Sequence, residues 1–163
     1  MKVLVTAATK HGATGDIAQE IGNVLAERGF DTTVALADEV AAMDYDAAIV
    51  GSAVYAGHWL KSARELVDRE AEALATMPVW LFSSGPIGSP PKPEEDPVDV
   101  EEILDITRAR SHRVFAGKLV RKQLSFPERA IVLALRVPEG DFRDFTEIRA
   151  WASEIADALD SGS

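Results

Sequence analysis

The sequence of 163 residues contains no cysteine. This excludes a disulfide framework, a thiol nucleophile and a metal or iron–sulfur site held by thiolates. No stretch reaches the roughly 18 consecutive apolar residues that a membrane-spanning helix needs. The start of the chain also has no basic segment followed by a long apolar one, so we expect no secretory signal and a cytoplasmic protein.

Basic residues are scarce relative to acidic ones, with 17 Lys and Arg against 27 Asp and Glu and a net charge of −10. This balance argues against nonspecific nucleic-acid binding, which depends on neutralising phosphates. The sequence also lacks a carboxylate pair, a Ser/His/Asp set and the spacing of metal ligands. We therefore predict no nucleic-acid partner and no metal, and any chemistry is expected to come from an organic cofactor.

Apolar residues make up 47% of the chain, enough for a globular core. Segments with strand and helix patterns alternate throughout, which predicts an α/β doubly wound sheet of five parallel strands with helices on both faces. The strands are predicted at residues 3–5, 32–36, 47–50, 79–82 and 113–116. The helices are predicted after residue 14 to about 28, over about 60–75, from a capping box at Asp99-x-x-Glu102, and over about 145–159. Residues 1–160 are predicted to form one domain, with residues 161–163 as a short tail.

The turn between the first strand and its helix has the composition of a phosphate site. Its residues are Thr9, Lys10, His11, Gly12, Ala13 and Thr14. Backbone N–H groups of such a turn and of the helix's first turn converge on one point, where the helix dipole favours an anion. Thr9 and Thr14 add hydroxyl donors, Lys10 adds charge, and Gly12 allows a close approach. The turn matches neither the P-loop nor the dinucleotide fingerprint. The alternative is an ordinary strand-to-helix turn with Thr14 as N-cap.

Two further glycine-containing segments follow the third and fourth predicted strands. They comprise Ser52, Ala53, Val54, Tyr55, Ala56 and Gly57 in the first, and Ser84, Gly85, Pro86, Ile87 and Gly88 in the second. Because the carboxyl ends of parallel strands share one sheet edge, we expect both segments to flank a flat aromatic ring. Together with the phosphate turn, they predict a binding site for flavin mononucleotide (FMN). His58 follows as a candidate catalytic residue for proton transfer, the alternative being a helix cap.

These segments resemble flavodoxin-fold proteins, and most of all the flavodoxin-type menaquinone-dependent protoporphyrinogen oxidases and their flavodoxin-domain relatives. The resemblance is carried by residues 8–14 with Ile17 and Ala18, by residues 45–58 and by residues 154–156. It implies the strand order 2-1-3-4-5 and an FMN cofactor. The phosphate would lie in the first loop and the isoalloxazine between the loops after strands three and four. It also implies an oxidoreductase that passes electrons to a quinone.

Three functional alternatives stay open at this stage. Residues 125–137 begin with a capping box, Ser125-x-x-Glu128, and form an apolar piece beyond a short flavodoxin. This piece favours an enzyme with a quinone or membrane-linked substrate, the alternative being a buried helix or an added strand at the sheet edge. Seven carboxylates between Glu94 and Asp105 favour an electron carrier that docks on a redox protein. Six basic residues between Ile106 and Pro127 offer a patch for anionic substrates or lipid head groups, or else simply balance those acids. Ala8, where the family usually has a hydroxyl, favours a binding module without flavin.

Overall fold

The computed structural model describes residues 1–55, 57–85, 99–119, 126–135 and 140–162. The strands are β1 (Lys2–Ala8), β2 (Asp31–Leu36), β3 (Ala47–Tyr55), β4 (His58–Trp59), β5 (Val79–Ser84), β6 (Ser111–Phe115), β7 (Lys118–Leu119) and β8 (Gly140–Asp141). The helices are α1 (Ala13–Glu27), α2 (Lys61–Arg69), α3 (Ala71–Leu74), α4 (Val100–Thr107), α5 (Phe126–Leu135) and α6 (Phe145–Asp160), with a short 3-10 turn at Ala37–Glu39.

Five of these strands form a parallel sheet in the order β2-β1-β3-β5-β6. This is the predicted order, because β4 is only a two-residue antiparallel return of the chain along β3. The carboxyl ends of β1, β3 and β5 lie side by side at one edge. That edge is where an open α/β sheet places its ligand.

Alternate residues of the strands pack into two cores on opposite faces of the sheet. Val5, Ile49 and Phe82 lie on the face that α1 and α6 cover. Leu4 and Leu81 lie on the other face, beneath α2 and α4. All five side chains are fully buried. The continuous apolar runs therefore belong to doubly covered parallel strands, as the sequence predicts.

Three strands extend further toward the site than the sequence pattern predicts. β1 continues to Ala8 and β3 continues to Tyr55, so residues 52–55 lie in a strand and not in a loop. Ser84 is likewise the last residue of β5. The reason is pairing, because Ala53 lies opposite Ser84 and Tyr55 pairs with His58 of β4. Small polar residues carry no apolar signal, so the sequence pattern stops short of these pairs.

The helix predicted over residues 60–75 is divided in two. Glu70 leaves the helical conformation (φ −107°, ψ 18°) and separates α2 from α3. The Arg69 guanidinium at the end of α2 donates to the Val40 carbonyl at 3.0 Å. Leu74 of α3 then enters the core with no exposed surface.

The extra piece at residues 125–137 forms helix α5 over residues 126–135, and not a strand at the sheet edge. It lies in sequence between β7 and β8, which pair antiparallel. Ser125, the first residue of a predicted capping box, lies outside the described residues. Among the helices that the structure describes, none is long and apolar enough to cross a membrane.

Candidate functional site

The predicted phosphate turn is a tight loop that opens α1. Gly12 is the N-cap of the helix, and its φ is +90°, a backbone conformation that residues other than glycine rarely adopt. The Thr9 hydroxyl accepts the Gly12 N–H at 3.0 Å. Thr14 is not the N-cap: it lies inside α1 and is buried. No side chain caps the helix, so the N–H groups of its first turn are left for another acceptor.

The loop faces open space. A Cβ atom built on Gly12 would meet no atom within 4 Å. Glycine is favoured here by its positive φ, and the close approach of a phosphate to Gly12 stays a prediction. A polar turn whose helix N–H groups lack a side-chain cap and whose front is open can accept an anion.

Behind this loop, the ends of β3 and β5 and the segment after β6 approach one another closely. A Cβ on Gly85 would lie 3.1 Å from the Cβ of Val54, and one on Gly117 would lie 3.1 Å from the Cα of Gly85. The Gly85 N–H donates to the Phe115 carbonyl at 3.3 Å. The two predicted flavin-side segments are thus brought together. The contribution of Gly117 was missed, since a lone glycine in the sequence does not reveal which backbone approaches it.

Ser52 and Ser83 lie opposite each other in the sheet, and their side-chain hydroxyls form hydrogen bonds within the protein. The Ser52 hydroxyl donates to the Ala53 carbonyl and accepts the Leu60 N–H at 2.9 Å. The Ser83 hydroxyl accepts the Trp59 indole N–H at 2.7 Å and lies 2.7 Å from His112 Nε2. These hydroxyls fix β4 and the start of α2 against the sheet.

His58 lies beside the carboxylate of Asp99, which the sequence predicts to cap a helix. Its Nδ1 is 3.3 Å from both oxygens of Asp99, one of which also accepts the Trp59 N–H at 3.0 Å. Asp99 does precede α4, as predicted, but its side chain does not cap the helix. It reaches across to β4 instead. The His58 side chain is half exposed.

Both basic side chains of the phosphate loop meet a buried carboxylate from α5. Glu128 places one oxygen 3.4 Å from Lys10 Nζ and the other 3.0 Å from His11 Nε2. Lys10 also lies over the Tyr55 ring, 4.5 Å from its centroid. This cluster of Lys10, His11, Tyr55 and Glu128 joins α5 to the loop and to β3. The sequence pattern did not indicate this role of Glu128, because an acidic residue in the first turn of a helix is interpreted as a capping residue.

Arg143 fastens the segment before α6 to the other side of the loop. Its guanidinium binds Asp141 at 2.8 and 2.9 Å, Asp16 at 3.1 Å and the Ala13 carbonyl at 3.3 Å. The Arg143 side chain is only 8% exposed. Its hydrogen bond lowers the pKa of Asp141 from 3.8 to about 2, while partial burial opposes the shift. The first turn of α1 is therefore held in place from outside the helix.

This ion pair predicts a measurable pH dependence of stability. Because the pKa of Asp141 is lower in the folded state, the pair stabilises the protein above pH 3.8 and that contribution is lost as the pH falls through about 2. The carboxylate is 44% exposed, so we expect a contribution of only about 1 kcal/mol after screening by water. Asp141→Asn should remove this part of the acid sensitivity.

The measurement is urea unfolding between pH 5 and pH 2 for the wild type and Asp141→Asn. Asp44→Asn is the matched control, since Asp44 is 92% exposed and 3.7 Å from Lys2. The wild type and the control should lose stability in parallel, and Asp141→Asn should lose less. Parallel curves for all three proteins would contradict this role of Arg143.

Some of the remaining predicted site residues lie within the described ranges, and others lie outside them. Gly57 adopts φ of +81° between β3 and β4. Ala56, Pro86, Ile87 and Gly88 lie outside the described residues, as do the acids 94–96 and the basic residues 121–122. Arg110 stacks on Trp80, and Arg113 pairs with Glu154 at 3.4 Å. Within the described ranges, no group of three or more His, Asp or Glu residues could hold a metal ion.

Comparison with known proteins identifies the family and the fold. The family model of the flavodoxin domain matches residues 4–146. The protoporphyrinogen IX dehydrogenase [quinone] of Escherichia coli K12 is 24% identical over 98% of this chain and 97% of its own length. A flavodoxin from the domain Archaea superposes with a TM-score of 0.66 at 18% identity, over 98% of this chain and 99% of its own.

A larger protein contains the same fold. The rubredoxin oxygen:oxidoreductase of Desulfovibrio gigas superposes with a TM-score of 0.68 at 14% identity, over 98% of this chain but only 36% of its own. The solved structures therefore share the fold, and the family model covers most of the sequence. The chain belongs to the flavodoxin domain family, and its strand order is that of the flavodoxin-like fold.

Proposed function

We propose that the protein binds FMN at the carboxyl edge of its sheet and acts as an FMN-dependent oxidoreductase. The observation that carries this proposal is the loop at residues 9–12, which opens α1 without a side-chain cap beside the ends of β3 and β5. Membership of the flavodoxin domain family supports the same cofactor. The cytoplasmic location expected from the sequence is part of this proposal.

The residues present fit the FMN phosphate. In this proposal, the N–H groups in the first turn of α1 and the Thr14 hydroxyl bind the phosphate oxygens. Ala8 removes one hydroxyl, but the helix N–H groups do not depend on that side chain. The open space in front of Gly12 leaves room for the group. These donors match the chemistry of a phosphate dianion.

The ring of the flavin is proposed to lie between the ends of β3 and β5. Tyr55 and the backbone of Gly57 would border it on one side, and Gly85 on the other. Bound FMN supplies the electron-transfer chemistry. His58, with Nδ1 directed at Asp99, would take up or release the accompanying proton at Nε2.

A quinone is the electron acceptor that we propose. The E. coli relative is named protoporphyrinogen IX dehydrogenase [quinone], and its alignment covers 98% of this chain. On α5, Phe126 is 85% exposed, more than any other large hydrophobic side chain in the described ranges. An exposed aromatic group of this kind suits contact with an apolar quinone or a lipid surface.

The second candidate is an electron carrier that docks on a protein. The acidic first turn of α4, with Glu101 and Glu102 exposed, favours it. Exposed acidic groups speed encounter with a basic partner, and salt screens this effect over about 10 Å at 0.1 M ionic strength. The two candidates therefore differ in their response to salt and in their dependence on α5.

Reoxidation of the reduced protein by a water-soluble menaquinone analogue separates them. The enzyme proposal predicts fast reoxidation that changes little with salt. Reoxidation should slow roughly tenfold in Phe126→Ser, because this variant loses the proposed contact between the aromatic ring and the quinone. Leu36→Ser is the control, because Leu36 is 39% exposed on β2. Slow reoxidation of the wild type, with a protein acceptor reacting in a strongly salt-dependent way, would favour the carrier instead.

A further inference from the structure

Glu128 is the buried acid of the cluster that joins α5 to the phosphate loop. Its side chain is only 6% exposed. A carboxylate so far removed from water is costly unless cations or hydrogen-bond donors surround it. Lys10 at 3.4 Å and His11 at 3.0 Å meet that need from the loop. The acid reaches them from 117 and 118 residues away along the chain.

The same contacts engage both basic side chains that the loop contributes. Each oxygen of Glu128 faces one of them, and Lys10 is further fixed over the Tyr55 ring at 4.5 Å. The ring draws the ammonium group by a cation–π contact. In the fold as it stands, the positive charge of Lys10 is balanced by a negative charge from the protein itself.

A phosphate held by this loop would compete with Glu128. FMN brings a dianion to residues 9–14, and riboflavin brings none there. One Lys and one His cannot fully pair both a buried carboxylate and a dianion. The carboxylate also repels the phosphate, because like charges on neighbouring groups disfavour each other and the Glu128 carboxylate is shielded from water.

We propose that Glu128 is a specificity-determining residue: by holding Lys10 and His11, it reduces the preference of the site for FMN over riboflavin. The inference rests on the proposed FMN site. The phosphate then depends on the N–H groups of α1 and on threonine hydroxyls, and not on the loop's basic side chains. An opposite role, in which Glu128 orients Lys10 and His11 toward the phosphate, predicts the reverse effect of removing its charge.

The test is the ratio of the FMN and riboflavin affinities of the flavin-stripped protein, titrated by flavin fluorescence. In Glu128→Gln this ratio should rise about tenfold over the wild type, since one opposing charge is removed and two donors are released. Glu154→Gln is the matched control, because Glu154 lies on α6 and its carboxylate forms an exposed ion pair with Arg113. It should leave the ratio unchanged. An unchanged or lower ratio in Glu128→Gln would overturn the inference.

Lys10→Gln provides a second test, because Glu128 holds the Lys10 ammonium group in the wild type. The substitution should lower the ratio less in the wild-type background than in the Glu128→Gln background, where Lys10 is released. An equal or larger fall in the wild-type background would overturn the inference. If Glu128→Gln does not fold, Glu128→Asp replaces it in both tests, since its shorter side chain withdraws the carboxylate from Lys10 and His11. Wild-type protein that bound neither flavin would overturn the proposed FMN site. Binding of both flavins with an unchanged ratio in every variant would overturn the role of Glu128 alone.

Discussion

Replacing Thr9 and Thr14 together by valine should weaken FMN binding by about 100-fold or more, with little effect on riboflavin. Valine keeps the shape of each side chain and removes only the hydroxyl. A hydrogen bond to a charged group contributes roughly 1.5–3 kcal/mol, so the loss of two corresponds to about 3 kcal/mol or more. Riboflavin lacks the phosphate and would not report that loss.

The structure separates the two threonines in this experiment. Thr14 is buried in the first turn of α1, whereas the Thr9 hydroxyl already accepts the Gly12 N–H. Thr14→Val alone should therefore report the phosphate contact, and Thr9→Val should also loosen the turn. Thr76→Val is the control, since its hydroxyl bonds only locally to the Ala73 carbonyl after α3. Equal weakening of both flavins in the double variant would place the phosphate elsewhere.

Replacing Gly51 by alanine should destabilise the fold by about 3 kcal/mol, the upper range for overpacking a core. An ideal Cβ at Gly51 would lie 2.2 Å from the Phe82 ring. That ring cannot move aside easily, because Phe115 and Trp151 pack against it with centroids 6.2 and 6.1 Å away. The effect also bears on the site, since Gly51 lies on β3 four residues before Tyr55.

Urea unfolding gives the size of this effect, and a second substitution tests its cause. Phe82→Leu should make Gly51→Ala less costly than it is in the wild type, because the shorter side chain releases the clash. Gly15→Ala is the control. Its Cβ would meet its nearest atom at 3.6 Å, an ordinary contact, and a helical alanine is favoured over glycine by up to about 1 kcal/mol. Equal unfolding midpoints for Gly51→Ala and the wild type would contradict the clash.

The fold could be predicted because its signals are local. The buried run at residues 47–50 and the spacing of Ile17, Ile21 and Leu25 each mark one element without reference to the rest of the chain. The strand ends could not be found in this way. Ser52 and Ala53 are small and carry no apolar pattern, and they belong to β3 because β5 pairs with both and β1 pairs with Ser52.

The candidate site could likewise be predicted only in part. The phosphate loop is one continuous segment, so its donors and its glycine could be recognised directly from the sequence. Glu128 and Asp99 could not, since each lies in the first turn or N-cap of a helix and resembles a capping residue there. Only the docking of α5 and α4 brings these acids to Lys10 and His58. Long-range pairing of this kind has no sequence signal in a single chain.

The central claim is that the loop at residues 9–14 holds the phosphate of FMN. Its most direct test is a titration of the flavin-stripped wild type with FMN and with riboflavin, followed by flavin fluorescence. We expect one FMN per chain, bound about tenfold or more tightly than riboflavin even with Glu128 in place, because the phosphate accepts charge-assisted hydrogen bonds that riboflavin lacks. Equal affinities for the two flavins, or no binding of either, would contradict the account.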